Sequence, residues 1–280
     1  MEINLSFWNN MPEKIKEAII KVNKKLNFSE KDFISKELLL PSVHLLNGKG
    51  KMLRPMLVLL CANALGGNVD GYIDLAAAIE MLHVSSLVHD DIIDGDTLRR
   101  NTQTVNAKYG NDIAILAGDA LIAKAISFAA RYGKKVVNAI AGTSMEMCAG
   151  ELYDYSRQKL REFPGINGYI EIARLKTASI IGTACSIAAM HMGRNETEAL
   201  KEYGINIGLA FQIRDDVLDY SCDAPDRFTN AVAVLKNEGS EDAVGKAKEL
   251  NKEYVKKALA SIEGIGNSDI LKAYARELMI

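Results

Sequence analysis

The chain has 280 residues, of which 48% are hydrophobic and 25% are charged, and this composition excludes an intrinsically disordered protein. The 34 Lys and Arg residues nearly balance the 36 Asp and Glu residues, so the basic excess of a dedicated nucleic-acid-binding protein is absent. Four scattered cysteines form no CxxC pair, which disfavours disulfides and zinc and predicts a cytoplasmic protein. No basic segment precedes an apolar run at the start, and the longest apolar stretches are short or contain Asp119 and Lys124. We therefore expect no signal peptide and no membrane span.

Helical periodicity runs through most of the chain, and only 5 prolines interrupt it. Ser29 with Asp32 has the spacing of a capping box ahead of an apolar helix. Pro41 is expected to start a helical segment that reaches Leu46. After a polar, glycine-bearing loop, Pro55 suits the first turn of the next helix.

The remaining helices are predicted from the apolar periodicity. They cover 55–65, 71–94, 112–131, 134–156, 167–191, 195–221, 228–237, 240–262 and 268–278. Gly204 lies inside one of them and could kink or break it. Alternating strand patterns are scarce, no run is typical of a hairpin, and no flexible linker divides the chain. The sequence thus predicts an all-α protein with a single domain over 1–280.

A tight aspartate cluster interrupts an apolar helix twice, as HDDIIDGD at 89–96 and as RDDVLDY at 214–220. Because residues i and i+4 share a helical face, Asp90 and Asp94 point the same way, with Asp91 beside them. The corresponding residues of the second cluster are Asp215, Asp219 and Asp216. Carboxylates within about 5 Å repel by roughly 3 kcal/mol per pair at an effective dielectric near 20, so something must offset the repulsion.

Water is the simplest offset, because most charged clusters are solvated faces. Here the neighbours are apolar, as in the run from Ile205 to Phe211 before the second cluster, and buried carboxylates need cations. Oxygen ligands without His or Cys suit Mg²⁺, which is usually shared with substrate phosphates. Two such clusters facing each other would hold a diphosphate between several metal ions.

Basic residues lie near the first cluster, where an anion could be held. They are Lys49, Lys51 and Arg54 in GKGKMLRP, Arg99 and Arg100 directly after the cluster, and Lys176 in ARLKTAS. Each alone is more simply a surface cation, and only their joint placement favours an anion site. The loop lacks the GK[ST] spacing of a Walker A motif.

In order along the chain, these motifs resemble those of the trans-isoprenyl diphosphate synthases, or polyprenyl synthetases. The resemblance covers GKGKMLRP at 48–55, EMLHVSSLVHDDIIDGDTLRRN at 80–101, AILAGDALIAKA at 114–125, KTA at 176–178 and FQIRDDVLDY at 211–220. It implies an isoprenoid-synthase-type helical bundle around a central cavity. It also implies a homodimer, with a heteromer as the other form of assembly.

The reaction that the resemblance implies is head-to-tail prenyl transfer from an allylic diphosphate to isopentenyl diphosphate. It implies Mg²⁺ as the cofactor, with three ions when diphosphate is bound. The implied metal ligands are Asp90, Asp91, Asp94, Asp215 and Asp219. Asp216 would act either from behind the metal ligands or through bound water.

The resemblance also assigns substrate contacts. Those to isopentenyl diphosphate fall on Lys51, Arg54, His83 and Arg100. Those to the allylic diphosphate fall on Arg99 and Lys176. Thr177 and Gln212 would direct oxygen dipoles at the developing cation, and Phe211 would line the cavity. The role of His89 stays open.

In this family the growing chain runs along the helix of the first aspartates, and residues one turn earlier form the cavity floor. Here Ser85 and Ser86 are small, and Met81 lies deeper. We therefore expect a geranylgeranyl or longer all-trans product. The simpler alternative is that the serines are ordinary packing residues.

The sequence departs from the family pattern at a few positions. Met52 replaces a basic residue and Asn101 a glycine. After Tyr220 no lysine occurs before Lys236, where the family has a lysine-bearing loop, and Arg227 could substitute. A weakly active or non-catalytic subunit of a heteromeric synthase is therefore the alternative. A terpene cyclase would lack this second DDxxD, and a helical scaffold would not need two aspartate clusters.

Overall fold

The regular structure of the protein is almost entirely helical. A computed structural model describes residues 7–8, 10–48, 50–99, 101–220 and 228–280. Within them the elements are helices apart from one short hairpin, which confirms the predicted all-α class. The chain divides into two compact units, Met1–Ala141 and Gly142–Ile280, and the single domain over 1–280 stays a prediction.

The first unit is a set of helices with a small hairpin. Its helices are α1 (Glu13–Lys25), α2 (Glu30–Phe33), α3 (Lys36–Val43), α4 (Leu53–Ala64), α5 (Ile73–Asp94), α6 (Val105–Tyr109) and α7 (Asn111–Ala129). Short 3-10 turns lie at Val69–Tyr72 and Ala130–Tyr132. Strands β1 (Leu98–Arg99) and β2 (Thr102–Gln103) pair antiparallel between α5 and α6. Helix α8 (Lys134–Leu160) begins in this unit and continues into the second.

Helix α5 is the central helix of the first unit. Leu75, Ile79 and Met81 are fully buried in it, as expected for a helix that is apolar on nearly all sides. It packs along α7 and also contacts α1 and α4. Near its start, Asp74 forms ion pairs with Lys25 at 3.0 Å and with Arg131. The packing fixes the position of its last turns, which carry the first aspartate cluster.

The second unit is organised around α11 (Thr197–Asp219). Its other elements are α9 (Gly165–Ala173), a π-helical turn (Arg174–Ala178), α10 (Ser179–Met192), α12 (Ala231–Asn237), α13 (Ala243–Ser261) and α14 (Asp269–Glu277). Helix α11 packs along α10 and α13 and contacts the π-helical turn. The second aspartate cluster lies in its last turns.

Gly204 neither ends nor divides α11, which continues unbroken through it. A Cβ atom on Gly204 would lie 2.6 Å from the Cα of Gly182 on α10 and 2.6 Å from the carbonyl oxygen of Ile181. The glycine is required because the backbones of α10 and α11 come too close for a side chain. The predicted break at this position is therefore wrong.

The starts of the helices predicted from apolar periodicity lie within three residues of the observed ones, and α8 begins at Lys134 as predicted. The capping box is confirmed, because Ser29 N–H donates to Oδ2 of Asp32 at 2.9 Å. Pro41 does not start a segment but lies inside α3, which begins at Lys36 behind the capping hydroxyl of Ser35. Helix α1 was not predicted, although it buries one apolar stripe.

Two further details differ from the sequence prediction. The helix expected over 167–191 is divided by the π-helical turn at Arg174–Ala178. The turn was not predicted because one inserted residue changes the apolar periodicity too little to be recognised in the sequence. The hairpin of β1 and β2 was not expected, because two-residue strands are too short to alternate. Asn101 takes φ +62° between these strands, a conformation that asparagine tolerates better than most residues. This explains why asparagine serves where the family has glycine.

Two stretches, Val69–Asp94 and Asn111–Tyr132, are long and apolar enough to cross a membrane by length and composition alone. The expectation that Asp119 and Lys124 rule out such a stretch is wrong on this criterion. In the most apolar window of the first stretch 72% of the residues are buried inside the protein, and in the second 39%. Such stretches are weak evidence for a span, because core helices have the same composition.

Candidate active site

The first aspartate cluster ends α5, and its three carboxylates differ in burial. Asp90 is half-buried, Asp91 is buried and Asp94 is exposed. The expectation that these carboxylates are buried is therefore wrong for Asp94 and holds only in part for Asp90. Water reaches the outer carboxylates and reduces their repulsion, whereas the buried one needs a partner inside the protein.

Asp91 obtains that partner from Arg99, whose Nε donates to Oδ1 at 2.6 Å. Burial raises the pKa of the Asp91 carboxyl above its usual value, and the hydrogen bond from Arg99 opposes the rise. Oδ2 of Asp91 is buried and has no hydrogen-bond partner among the described residues. Arg99 also lies 3.6 Å from Asp96, so the β-hairpin is fastened to the aspartate cluster.

The backbone of Asp91 is fastened as well. Its carbonyl accepts hydrogen bonds from Asp96 N–H at 2.9 Å and from Asn106 Nδ2 at 3.2 Å. Asn106 Nδ2 also donates to the carbonyl of Asp96 at 3.0 Å. The end of α5 is thereby tied to α6, across the intervening hairpin.

The other residues predicted in the first unit occupy different environments. Lys51 is exposed, Arg54 and Ser86 are half-buried, and Met81, His83 and Ser85 are buried. Lys49 and Arg100 lie outside the described residues. Ser85 and Ser86 donate their hydroxyls to the carbonyls of Leu82 and His83, so the polarity of both serines is satisfied within α5.

His89 contacts α7 rather than the aspartates that follow it. Its Nε2 lies 3.3 Å from the carbonyl oxygen of Ile115 and 3.8 Å from Oδ1 of Asp119. We conclude that His89 helps to set the position of α5 on α7, which answers the question that the sequence left open.

The second aspartate cluster repeats the burial pattern of the first. Asp215 is half-buried, Asp216 is buried and Asp219 is exposed. Asp216 accepts hydrogen bonds from Gln212 Nε2 at 2.9 Å and from Ala231 N–H at 2.8 Å. In both clusters the middle carboxylate is thus an anchor, and the outer two are the more accessible.

The surroundings of Asp216 also match those of Asp91. Its carbonyl accepts a hydrogen bond from Asn230 Nδ2 at 3.0 Å, in the same way that the carbonyl of Asp91 accepts one from Asn106. Tyr169 is fully buried nearby, and its burial, followed by the charge of Asp216, raises the pKa of the Tyr169 hydroxyl well above its usual value.

The π-helical turn carries Lys176 and Thr177 to α8 and α11. Thr177 Oγ1 donates to Oε1 of Gln212 at 2.9 Å. The two residues whose oxygen dipoles were both predicted to face the developing cation are therefore in contact. Phe211 precedes Gln212 and is half-buried. A π-helical turn inserts one extra residue and is frequent at functional sites.

Lys176 is held between two carboxylates of α8. Its Nζ lies 2.6 Å from Oε2 of Glu151 and 2.6 Å from Oδ2 of Asp154. The backbones approach closely here, since a Cβ atom on Gly150 would lie 2.4 Å from Lys176 N. Sequence analysis missed Glu151 and Asp154. Their i, i+3 spacing puts them on one face of α8, but only the packing shows what they face.

The carboxylate sets fit Mg²⁺. Among the described residues no three His, Cys, Asp or Glu side chains converge as a metal-binding group. Mg²⁺ does not need such a group, because it is usually bound through one or two carboxylates and completed by substrate phosphates and water. The half-buried and exposed carboxylates of the two clusters, together with Oδ2 of Asp91, which has no hydrogen-bond partner among the described residues, supply donors of that kind.

The sequence matches the family described as polyprenyl synthetase over residues 35–229. Geranylgeranyl pyrophosphate synthase of Geoglobus acetivorans is 40% identical over 217 residues, which cover 75% of this chain and 68% of that protein. Short chain isoprenyl diphosphate synthase of Methanothermobacter thermautotrophicus is 34% identical over 263 residues, which cover 89% of this chain and 78% of that protein.

Solved structures show the same relationship. The geranylgeranyl pyrophosphate synthetase from Geoglobus acetivorans superimposes with a TM-score of 0.86 at 31% identity and covers 95% of this chain and 98% of its own. Heptaprenyl diphosphate synthase from Staphylococcus aureus gives 0.84 at 26% identity, with 94% and 97% covered. Since the family match spans more than half of the sequence and includes both aspartate clusters, the chain belongs to the polyprenyl synthetase family.

Proposed function

We propose that this protein catalyses head-to-tail prenyl transfer, condensing isopentenyl diphosphate with an allylic diphosphate to give an all-trans prenyl diphosphate of geranylgeranyl length or longer. The observation that carries the proposal is the repeated arrangement of the two aspartate clusters. In each, a buried middle carboxylate is anchored and two more accessible carboxylates flank it. The names of the relatives, which include geranylgeranyl and short-chain isoprenyl diphosphate synthases, support the same reaction.

In the proposed reaction the C–O bond of the allylic diphosphate breaks, and the diphosphate leaves with the electron pair. The double bond of isopentenyl diphosphate supplies the electrons of the new C–C bond to the allylic carbon. Loss of a proton from the resulting cation, to the departed diphosphate, forms the new double bond. Release of diphosphate and exclusion of water are the two requirements that the protein must meet.

We propose Mg²⁺ as the cofactor, with three ions when diphosphate is bound. The residues that would hold it are Asp90, Asp94, Asp215 and Asp219, together with Asp91, whose Oδ1 is already engaged by Arg99. Bound Mg²⁺ would neutralise the charge that develops on the leaving diphosphate. Asp216, which has two donors on its carboxylate, would position the others.

The basic and polar residues would bind and orient the substrates. We assign the allylic diphosphate to Arg99 and Lys176. Arg99 donates from Nε to Asp91, and its guanidinium group has further N–H donors for the diphosphate. We assign isopentenyl diphosphate to the residues predicted for it, Lys51, Arg54, His83 and Arg100. Oε1 of Gln212, already oriented by Thr177, would stabilise the allylic cation, since a fixed dipole needs no reorganisation during the reaction.

The test is incubation of the purified protein with isopentenyl diphosphate, farnesyl diphosphate and Mg²⁺, followed by chromatography of the dephosphorylated products. We expect products of geranylgeranyl length or longer. Asp90→Ala or Asp215→Ala should lower turnover by orders of magnitude without changing the helical circular dichroism signal. A folded protein that forms no elongated product would overturn the proposal for a stand-alone enzyme.

The same assay addresses the alternative of a weakly active or non-catalytic subunit in a heteromeric synthase. One relative, 36% identical over 183 residues, is named heptaprenyl diphosphate synthase component 2, from Geobacillus stearothermophilus. The other relatives cited above are named as synthases and not as a component of one, so this alternative is not favoured. Residues 221–227 of the altered segment that motivated it, including Arg227, lie outside the described residues. Activity that appeared only with a partner would establish it.

We also propose a homodimer in the cytoplasm. Helix α7 exposes Ile115 and Leu116 on the first unit, and apolar residues of this size favour a covered surface. The thiol of Cys61 is buried and forms no disulfide bond, as expected in a reducing compartment. Light scattering of the purified protein would give the oligomeric state, and a mass of one chain would reject the dimer.

A further inference from the structure

The ion pair at Lys176 continues into a chain of hydrogen bonds. Asp154 divides its two carboxylate oxygens between different partners. Oδ2 accepts from Lys176 Nζ at 2.6 Å, and Oδ1 accepts from Thr229 Oγ1 at 2.6 Å. Thr229 in turn accepts from Gln158 Nε2 at 2.8 Å. Because the amide nitrogen of Gln158 can only donate and the carboxylate of Asp154 can only accept, the hydroxyl proton of Thr229 points to Asp154, and the direction of both hydrogen bonds is fixed.

Thr229 is itself held by the second aspartate cluster. The two residues that follow it, Asn230 and Ala231, both donate to Asp216, the first from Nδ2 to the carbonyl and the second from N–H to the carboxylate. Asn230 also caps α12 by accepting from Val232 N–H at 3.0 Å. The threonine is therefore attached to a buried point on α11 and has little freedom of its own.

A second path leads from the same carboxylate back to Lys176. Gln212 donates to Asp216 and accepts from Thr177, and Thr177 is the covalent neighbour of Lys176. The π-helical turn and the aspartate cluster are thus connected on both sides, through Gln212 on one and through Thr229 and Asp154 on the other. A lysine side chain loses rotamer entropy when it is held, so its position needs fixed partners.

We propose that Thr229 is a positioning residue, which orients Asp154 and thereby places the ammonium group of Lys176. One part of this inference rests on the proposed function, namely that the ammonium group binds the allylic diphosphate. Without the Thr229 hydroxyl, Oδ1 of Asp154 loses its partner, the carboxylate can rotate, and Lys176 is held by Glu151 with less constraint. Allylic substrate should then bind less well, and isopentenyl diphosphate should be unaffected.

The variant is Thr229→Val, which keeps the shape of the side chain and removes the hydroxyl. We expect the KM for farnesyl diphosphate to rise about three- to tenfold, with the KM for isopentenyl diphosphate unchanged. Thr229→Ser should restore wild-type values. The matched control is Thr197→Val, which also loses one hydroxyl bond, to the carbonyl of Arg194, about 27 Å along α11 from Asp215.

A second readout does not need turnover. Trace acetylation by acetic anhydride, followed by peptide mass spectrometry, measures the reactivity of Lys176 relative to exposed Lys236. We expect the ratio to rise about threefold or more in Thr229→Val, because the ammonium is less constrained between its carboxylates. It should stay unchanged in Thr229→Ser and Thr197→Val.

The two readouts separate the possible failures. A wild-type protein that forms no product rejects the proposed function, and the acetylation ratio still tests the role of Thr229. Wild-type KM values and an unchanged ratio in Thr229→Val would overturn the inference, as would equal changes in both substrates. If Thr229→Val does not fold, Gln158→Leu removes the donor that orients the same hydroxyl. It should change both readouts in the same direction, and no change there would also overturn the inference.

Discussion

At the scale of single residues, the two aspartate clusters distinguish anchors from accessible ligands. Asp91 and Asp216 are buried, and each has its carboxylate bonded inside its unit and its carbonyl bonded to an asparagine amide. The flanking aspartates are more exposed. The aspartates of each motif therefore have different roles. We expect this difference to be measurable as a difference in the stability of single-residue variants.

Asp216→Ala should reduce the free energy of unfolding by about 1–3 kcal/mol, because the N–H of Ala231 is left buried without its acceptor. Asp219→Ala changes an exposed side chain and should stay within about 0.5 kcal/mol of wild type. Urea unfolding followed by circular dichroism measures both. Equal losses in the two variants would contradict the anchoring role of Asp216.

The capping box of α2 makes a prediction about pH. Hydrogen bonds from the N–H and hydroxyl of Ser29 lower the pKa of Asp32 below its ordinary value of 3.8. A lowered pKa means that the stabilisation is complete above 3.8 and is lost as the pH falls through the lower folded value. Asp32→Asn should therefore reduce the free energy of unfolding by about 0.5 kcal/mol at pH 6. The difference from wild type should shrink below pH 3.8, and a growing difference in a urea titration would contradict it.

At the scale of elements, the sequence predicts the features that are determined within one helix, but not those that depend on packing between segments distant in the chain. The ends of α5 and the positions of both aspartate clusters follow from spacing along one helix. The π-helical turn and the partners of Lys176 do not, because Glu151 and Asp154 lie more than twenty residues away and meet it only through packing. Pro41 was misplaced because a short helix tolerates the loss of one backbone hydrogen bond.

The packing of α10 against α11 can be tested with two glycine substitutions that we expect to change the free energy of unfolding in opposite directions. Gly204→Ala would place a Cβ atom 2.6 Å from the backbone of α10 and should cost about 1–3 kcal/mol of unfolding free energy. Gly142→Ala, on α8 where a Cβ atom meets nothing within 4 Å, should stabilise the protein by about 0.5–1 kcal/mol. Chemical denaturation of both variants gives the comparison, and stabilisation by Gly204→Ala would show that the helices are not in close contact.

At the scale of the whole molecule, the length of the product depends on which residues of α5 the growing chain meets. Helical periodicity puts Ser86 on the same stripe as Asp90 and Asp94, whereas Ser85 shares a stripe with Met81 and His89. Ser85 is only 1% exposed, and Ser86 is half-buried. His89 contacts α7, so the stripe of Ser85 is directed into the core of the first unit. The structure therefore favours Ser86 among the three predicted chain-length residues.

Ser86→Phe should shift the product towards shorter prenyl diphosphates while the melting temperature stays near that of wild type. Ser85→Phe should instead cost about 1–3 kcal/mol of stability, because a larger side chain enters a filled core. Chromatography of the dephosphorylated products, combined with thermal unfolding of both variants, separates the two effects. If Ser85→Phe shortened the product at unchanged stability and Ser86→Phe did not, the growing chain would follow the other stripe of α5. The floor of the cavity would then belong to Ser85 and Met81.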